Sequence, residues 1–198
     1  MCGIVGLFAK SPDVELRLGA LLGEMLAQLA DRGPDSAGIA LYREPAALGS
    51  TKLSLFSADP HEDWPALGDA TVHASHAVVA LEGSADAAVA RVREGFPHLR
   101  VMSAGDRIEI FKEAGNPREF IERFALASMA GSHGLGHTRM ATASRVTTEG
   151  AHPFSTGLDL CLVHNGSLSN HNRLRRMLRR EGIAFQTEND TEVAAGFL

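Results

Sequence analysis

The residue of this 198-residue chain whose position by itself suggests chemistry is the cysteine at position 2. Removal of Met1 would leave Cys2 with a free α-amine beside its thiol. The pKa of such an amine, about 7.7 to 8, lies near neutral pH, so the amine can accept the thiol proton without a histidine. Position 2 therefore predicts a nucleophile and its base in one residue. The alternative is a small side chain that merely permits removal of Met1.

Further polar residues follow short apolar runs in the last third of the chain, where strand ends commonly carry binding or catalytic groups. Arg139 and Asp190 are charged residues that, each taken alone, fit surface ion pairs better than a binding site. Asn165-Gly166 follows an apolar run and, taken alone, fits a simple hairpin turn better than an oxyanion site. These residues become candidates for a site only together with Cys2.

Histidines are concentrated in the same region, since five of the nine lie between residues 133 and 171. A metal site is the alternative that this raises, but the spacing argues against it. His133 and His137 flank two glycines in a non-helical context, and no His-Glu-x-x-His pattern occurs. We expect no metal, and we expect His152 and His164 to support the loops of the site through hydrogen bonds.

Six segments, taken in chain order, resemble class II glutamine amidotransferases, the N-terminal-nucleophile type. They are Cys2-Gly3-Ile4-Val5-Gly6, Arg32-Gly33-Pro34-Asp35-Ser36-Ala37-Gly38, Gly136-His137-Thr138-Arg139-Met140-Ala141-Thr142, His152-Pro153-Phe154, His164-Asn165-Gly166 and Glu188-Asn189-Asp190-Thr191-Glu192. Each segment is weak evidence alone, but one of them requires the N-terminus and all six keep their order. The resemblance is thin only across residues 44 to 130.

The resemblance implies how the substrate, L-glutamine, would be held. Arg139 would bind its α-carboxylate through two parallel N–H donors, and Thr142 would add a hydroxyl or backbone contact. Asp190 would accept its α-ammonium. Together these contacts would place the side-chain amide over Cys2.

The resemblance also assigns catalytic and supporting roles. The Asn165 amide and the Gly166 N–H would stabilise the oxyanion that forms when Cys2 attacks. Arg32 would orient the Cys2 backbone or a closing loop, and Gly33 would offer an N–H or a carbonyl. For Arg32-Gly33 the alternative is a simple helix stop.

The last sixty residues are most similar to glutamate-synthase-related amidotransferase subunits, including that of N-methylglutamate synthase. This implies hydrolysis of glutamine to glutamate and ammonia through a Cys2 thioester, with ammonia passed to a synthase-like partner in a hetero-oligomer. The partner would carry FMN and could carry an iron–sulfur cluster, whereas no cofactor is expected in this chain. The alternatives are a hydrolase of another γ-glutamyl amide, such as γ-glutamylmethylamide, and a non-catalytic structural subunit.

Composition sets broad limits on the class of protein. The chain is 44% hydrophobic and 22% charged with a net charge of -5, which is typical of one globular domain and offers no positive field for nucleic acid. No apolar run approaches the roughly 18 to 20 residues of a membrane span. Two cysteines fit a reducing compartment, so we expect a cytoplasmic protein without membrane contact.

Periodicity predicts the elements that position these residues. A buried strand over residues 3–9 places Cys2 at its tip, a helix spans about residues 12–30, and a strand covers residues 37–42. Residues 44–130 are an elaboration with further strands, near residues 71–81, 98–103 and 107–111, and two helices. Helices are also expected from about residue 169 to 181 and after residue 190.

The resemblance implies an α+β fold, the four-layer αββα sandwich, for a domain covering residues 1–198, and the family fold is expected to continue beyond residue 198. On the helix that contains residues 173–180 we expect an arginine face exposed to solvent or to an acidic partner. Leu174, Met177 and Leu178 would then point inward. Cys161 is expected to be an inert core thiol.

Overall fold

The computed structural model describes residues 2–141 and 145–198, apart from the side chains at positions 65 and 66. Within these residues the strands are β1 (Gly3–Phe8), β2 (Ser36–Tyr42), β3 (Ser50–Phe56), β4 (Ala70–His73), β5 (His76–Glu82), β6 (Arg100–Gly105), β7 (Ile108–Ala114), β8 (His133–Arg139), β9 (Phe154–Gly157) and β10 (Leu160–Leu162). The helices are α1 (Pro12–Leu16), α2 (Leu18–Gln28), α3 (Ala85–Gly95), α4 (Pro117–Arg123), α5 (His171–Arg180) and α6 (Asp190–Phe197).

The first sheet carries the N-terminus and has the order β1-β8-β2-β7, with every pair antiparallel. Helix α2 packs on its outer face because glycines in β8 let the helix approach closely. A Cβ atom at Gly136 would lie 2.8 Å from a methyl of Val5 and 3.0 Å from one of Leu26. Leu22 and Leu26 are fully buried there. This packing fixes β8, and therefore Arg139 at its end, beside β1.

The second sheet has the order β4-β5-β3-β6 and lies against the first. Side chains of β3 alternate between two environments, as a strand buried on both faces requires. Leu53 and Leu55 pack with Val92 of α3, whereas the Ser54 hydroxyl accepts a hydrogen bond from the Ile110 N–H of the first sheet at 3.0 Å. The layers are thus helix, sheet, sheet and helix, and the predicted αββα sandwich is confirmed.

Two predicted elements are divided in the structure. The helix expected over residues 12–30 breaks at Arg17 into α1 and α2, because α2 begins against the 126–129 segment, where a Cβ at Gly19 would lie 2.0 Å from the Leu126 carbonyl oxygen. The strand expected over residues 71–81 is the β4–β5 hairpin, whose turn contains Ala74 at φ 52°. The elaboration at residues 44–130 supplies the whole second sheet.

The prediction for the inward face of α5 was wrong at two positions. Met177 is 45% exposed, whereas Arg175 is only 9% exposed. The guanidinium of Arg175 donates to the carbonyls of Thr187 (2.6 Å) and Asn189 (2.9 Å) and lies over the Phe185 ring. Loop carbonyls that need donors therefore draw an arginine inward. Among the described residues, no helix is both long and apolar enough to cross a membrane.

Candidate active site

The register of the first sheet places Cys2 beside the end of β8. Gly3 is paired with Thr138, so Cys2 lies across from Arg139, and its Sγ is 3.9 Å from the Met140 carbonyl oxygen. Cys2 and Arg139 both line a cleft of about 420 Å³. The predicted site residues that line this cleft are Cys2, Arg139, His152, His164, Asn165, Gly166 and Asp190.

The segment that follows β10 contributes Asn165 and Gly166. The Asn165 Nδ2 group donates one hydrogen bond to the Cys2 carbonyl oxygen at 3.1 Å, which leaves its second N–H for a ligand. A Cβ atom at Gly166 would lie 2.8 Å from His164 Nε2, so only glycine fits without displacing that ring. The hairpin turn of this region lies between β9 and β10, so Asn165-Gly166 is not a hairpin turn.

Asp190 is the first residue of α6 and faces the same segment. Its Oδ2 accepts the Leu168 N–H at 2.7 Å, and its other oxygen can accept from a ligand. Asn189, just before it, caps α6 by accepting the Thr191 N–H and donates from Nδ2 to the Gly150 carbonyl, both at 2.9 Å. The start of α6 is therefore tied to two loops of the cleft.

Arg139 is only 6% exposed and donates from Nη1 to the Arg145 carbonyl at 3.3 Å. The loop after it is held by Asp35, whose N–H donates to the Arg139 carbonyl and whose Oδ2 accepts the Ala141 N–H at 2.7 Å. Sequence reasoning assigned Asp35 no role, although it belongs to one of the six segments. Thr142 lies outside the described residues.

Arg32 and Gly33 do not line the cleft. Arg32 is exposed at the end of a short 3₁₀ turn, Ala30–Arg32. A Cβ atom at Gly33 would lie 2.5 Å from the Thr138 carbonyl carbon and 2.7 Å from the Arg139 nitrogen. In this structure Gly33 allows its backbone to lie close to the end of β8. Arg32 does not line the cleft.

Three histidines form the wall behind Asn165. The rings of His137 and His152 stack with centroids 4.1 Å apart, and His137 Nε2 donates to the His164 carbonyl at 3.1 Å. His164 Nδ1 is 3.3 Å from the Thr191 hydroxyl. Among the described residues, neither ring nitrogen of His152 has a hydrogen-bond partner, so this ring supports the site by stacking rather than by the predicted hydrogen bonds.

Both stacked rings are neutral at physiological pH. Burial lowers the pKa of His137 to about 4, although its hydrogen bond to the His164 carbonyl opposes the shift. Burial lowers the pKa of His152 to about 2, with the nearby His137 and Lys112 acting in the same direction. Because both rings are uncharged, they do not repel the Arg139 guanidinium and do not compete with it for the carboxylate of a ligand. The stack therefore supports the site through packing alone.

A model of the glutamine amidotransferase domain matches residues 1–83 and 125–197 of this chain. The chain belongs to this family. It is 54% identical over 209 residues to the glutamine amidotransferase-like protein GlxB of Rhizobium meliloti (strain 1021), which covers all of this chain and 69% of that protein. The unmatched residues 84–124 fall within the 44–130 elaboration.

Two more distant similarities cover smaller parts of longer proteins. The chain is 35% identical over 97 residues to a glutamine–fructose-6-phosphate aminotransferase of Legionella pneumophila (strain Lens), which is 49% of this chain and 16% of that protein. A solved structure of the allosteric regulatory enzyme of purine biosynthesis aligns with 98% of this chain and 28% of its own, at a TM-score of 0.49 and 20% identity. Family membership makes the chain an enzyme of the glutamine amidotransferase class.

The second cysteine of this amidotransferase domain differs from Cys2 in its surroundings. Cys161 lies in β10 outside the cleft, and its Sγ is 3.8 Å from the Tyr42 hydroxyl. Burial raises the pKa of the Cys161 thiol, which disfavours the reactive thiolate. Both cysteines are free thiols. Among the described residues, no group of three or more potential ligands could hold a metal ion.

Proposed function

We propose that this amidotransferase domain hydrolyses glutamine to glutamate and ammonia through a thioester on Cys2. The supporting observation is that Cys2, Arg139, Asn165 and Asp190 come from four separate segments and line one cleft. Surface ion pairing or a simple turn would not require these residues to meet beside a cysteine.

The chemistry begins at the Cys2 thiol once Met1 has been removed. The α-amine takes the thiol proton, and Sγ attacks the side-chain amide carbon of glutamine. The second N–H of Asn165 Nδ2 and the Gly166 N–H stabilise the resulting oxyanion. The C–N bond then breaks, the amine returns its proton to the leaving ammonia, and water hydrolyses the thioester to glutamate.

The two charged residues of the cleft orient the substrate. Arg139 binds the α-carboxylate of glutamine, and Thr142 adds a contact. The second oxygen of Asp190 accepts a hydrogen bond from the α-ammonium group of glutamine. Opposite charges in the cleft thus select a free amino acid and direct its side chain toward Cys2.

Intact mass and an ammonia-release assay test this reaction. An active preparation should lack Met1, and Cys2→Ala should lose ammonia release while keeping the fold. Cys161→Ala is the matched control and should retain activity, because its thiol lies outside the cleft. An active protein that keeps Met1, or an active Cys2→Ala variant, would exclude the mechanism. Faster release of methylamine from γ-glutamylmethylamide than of ammonia from glutamine would show that the preferred substrate is γ-glutamylmethylamide.

For the fate of the ammonia we infer a glutamate-synthase-like partner subunit, related to N-methylglutamate synthase, that receives it within a cytoplasmic hetero-oligomer. Free ammonia at neutral pH is mostly ammonium, a poor nucleophile, so docking of the two subunits is useful. Helix α5 supports a contact site: it begins at the cleft-lining His171 and exposes Arg173, Arg176, Arg179 and Arg180. Such a surface is complementary to an acidic partner.

Purification together with the products of neighbouring genes tests the partnership. We expect a stable complex with raised glutaminase activity, and Arg176→Glu should weaken it. Arg93→Glu is the control, since Arg93 is exposed on α3, which packs on the second sheet and does not line the cleft. A fully active monomer that no such subunit binds or stimulates would contradict the partnership while leaving the hydrolysis intact.

A further inference from the structure

Lys112 of β7 is a buried lysine whose ammonium holds a single loop. It is only 4% exposed, and its Nζ donates to the carbonyls of Glu149 (3.0 Å), Ala151 (2.9 Å) and Pro153 (3.2 Å). The Nζ atom also lies 4.3 Å from the centre of the Phe154 ring. An ammonium group has three N–H donors, so this geometry uses all of them on residues 149–153.

The loop that Lys112 holds carries His152. The His152 ring lines the cleft and stacks on His137, which in turn donates to the His164 carbonyl. His164 directly precedes Asn165. The backbone of His152 also rests on β2, where a Cβ atom at Gly38 would lie 2.0 Å from the His152 carbonyl oxygen. Contacts are therefore continuous from Lys112 to the Asn165 segment.

We propose that Lys112 is a positioning residue of the glutamine site, which holds the His152–His137 stack against the Asn165 segment. Lys112 does not line the cleft and touches no substrate, so it acts through the loop. Its effect on turnover depends on the glutamine hydrolysis proposed above, whereas its effect on the two rings does not.

The charge state of Lys112 decides how many of the three carbonyls are satisfied. Burial lowers its pKa to about 7, while Glu192 of α6 and Glu149 of the loop favour the charged form. The rings of His76 in β5 and of His152, whose pKa values Lys112 influences, add no charge near neutral pH, because burial lowers those pKa values to about 3 and about 2. Above its pKa the amine keeps two N–H donors, so one carbonyl loses its partner.

Kinetics of three variants test the proposal. Lys112→Met keeps the apolar stem but removes every donor, and kcat should fall on the order of 10- to 100-fold because the loop and the stack shift. KM for glutamine should stay within about threefold, since Arg139 and Asp190 are untouched. Lys52→Met is the matched control: Lys52 is a buried lysine of β3 paired with Glu109, away from this loop, and kcat should not change.

The pH profile separates positioning from general stability. Deprotonation of the Cys2 α-amine raises kcat with pH in every variant, so the effect of Lys112 is read from the ratio of each kcat to that of Lys112→Arg. For the wild type this ratio should fall severalfold, to a lower plateau, as pH rises through the pKa of Lys112, and Lys112→Met should lack this step. Lys112→Arg stays protonated, and a cavity of about 180 Å³ that borders Lys112 has room for the guanidinium. This variant should keep wild-type kcat on the acidic side and extend it to higher pH. A step that Lys112→Met retains, or a kcat of Lys112→Met equal to that of the wild type, would overturn the proposal.

A spectroscopic measurement is independent of the substrate. In NMR spectra of histidine-labelled protein, Lys112→Met should shift the ring signals of His137 and His152, and Lys52→Met should leave them in place. Unshifted rings in Lys112→Met would refute the positioning role even in an active enzyme. Shifted rings in a protein without glutaminase activity would instead support the positioning role and count against the proposed reaction alone.

Discussion

Replacement of Asn165 by alanine tests the role assigned to this side chain most directly. The structure gives the amide two tasks: one N–H holds the Cys2 carbonyl at 3.1 Å, and the other is available to the oxyanion. The first task is an exposed hydrogen bond, whose loss changes the free energy of unfolding by about 1 kcal/mol or less. The second acts only in the transition state, where loss of one donor typically costs about 2.7 to 4 kcal/mol.

These two magnitudes predict different changes in stability and in turnover. We expect Asn165→Ala to lower kcat about 100- to 1,000-fold, with little change in KM and in the urea midpoint of unfolding. Asn170→Ala is the matched control, because Asn170 is an exposed asparagine that makes no side-chain cap at the start of α5. It should leave both kinetic constants unchanged.

Steady-state glutaminase kinetics with coupled detection of glutamate would provide kcat and KM, and urea denaturation would provide stability. A fall in kcat of less than about tenfold would remove Asn165 from the oxyanion site. A large rise in KM at constant kcat would show that the side chain binds glutamine equally well in the ground state and the transition state.

Three further predictions follow from other contacts. Asp190→Asn and Arg139→Lys should mainly raise the glutamine KM, and an equal loss of kcat in steady-state kinetics would contradict their binding roles. Arg175→Met should lower the free energy of unfolding by about 3 kcal/mol, because two loop carbonyls lose a charged donor, whereas the exposed Arg176→Met should change it by less than about 0.5 kcal/mol in urea titrations. Burial keeps the pKa of His76 near 3 and that of His137 near 4, so the unfolded chain binds more protons between pH 6.5 and 4. The free energy of unfolding should therefore decrease as the pH is lowered from 6.5 to 4, by up to about 1.4 kcal/mol per pH unit for each histidine. Denaturation curves at several pH values should show a smaller dependence of stability on pH for His76→Phe than for the wild type.

The prediction that Cys2, Arg139, Asn165 and Asp190 share one site rested on the family resemblance of the segments that contain them, since the residues alone also fitted surface ion pairs and a hairpin turn. Local pattern predicted that Cys2 lies at the tip of a strand and that a helix starts beside Asp190, and β1 and α6 begin at Gly3 and Asp190. It did not predict the strand that ends at Arg139. The close approach at Gly166 was likewise predictable as a property of glycine. The roles themselves remain predictions.

Contacts made between distant segments were not predictable in the same way. The break at Arg17 depends on Gly19 packing against Leu126, more than one hundred residues away in the chain. Arg175 turns inward because the loop after α5 presents carbonyls, which no helical periodicity of α5 could indicate. Lys112 lies in the elaboration that carries no chemical motif, and only the fold brings it to the loop of His152.

The cleft-lining residues also hold one another, so their mutational effects should not be independent. Asn165 donates to Cys2, Asp190 accepts from Leu168, and Asn189 donates to Gly150, so three connections between segments run through the cleft itself. Asn165 and Asp190 each use part of their hydrogen-bonding capacity on a neighbouring segment and keep the rest for a ligand. Residues that share such partners couple energetically. Loss of Asn165 and Asp190 together should therefore differ from the sum of the two single losses, since either one alone leaves the 165–168 segment attached at one end.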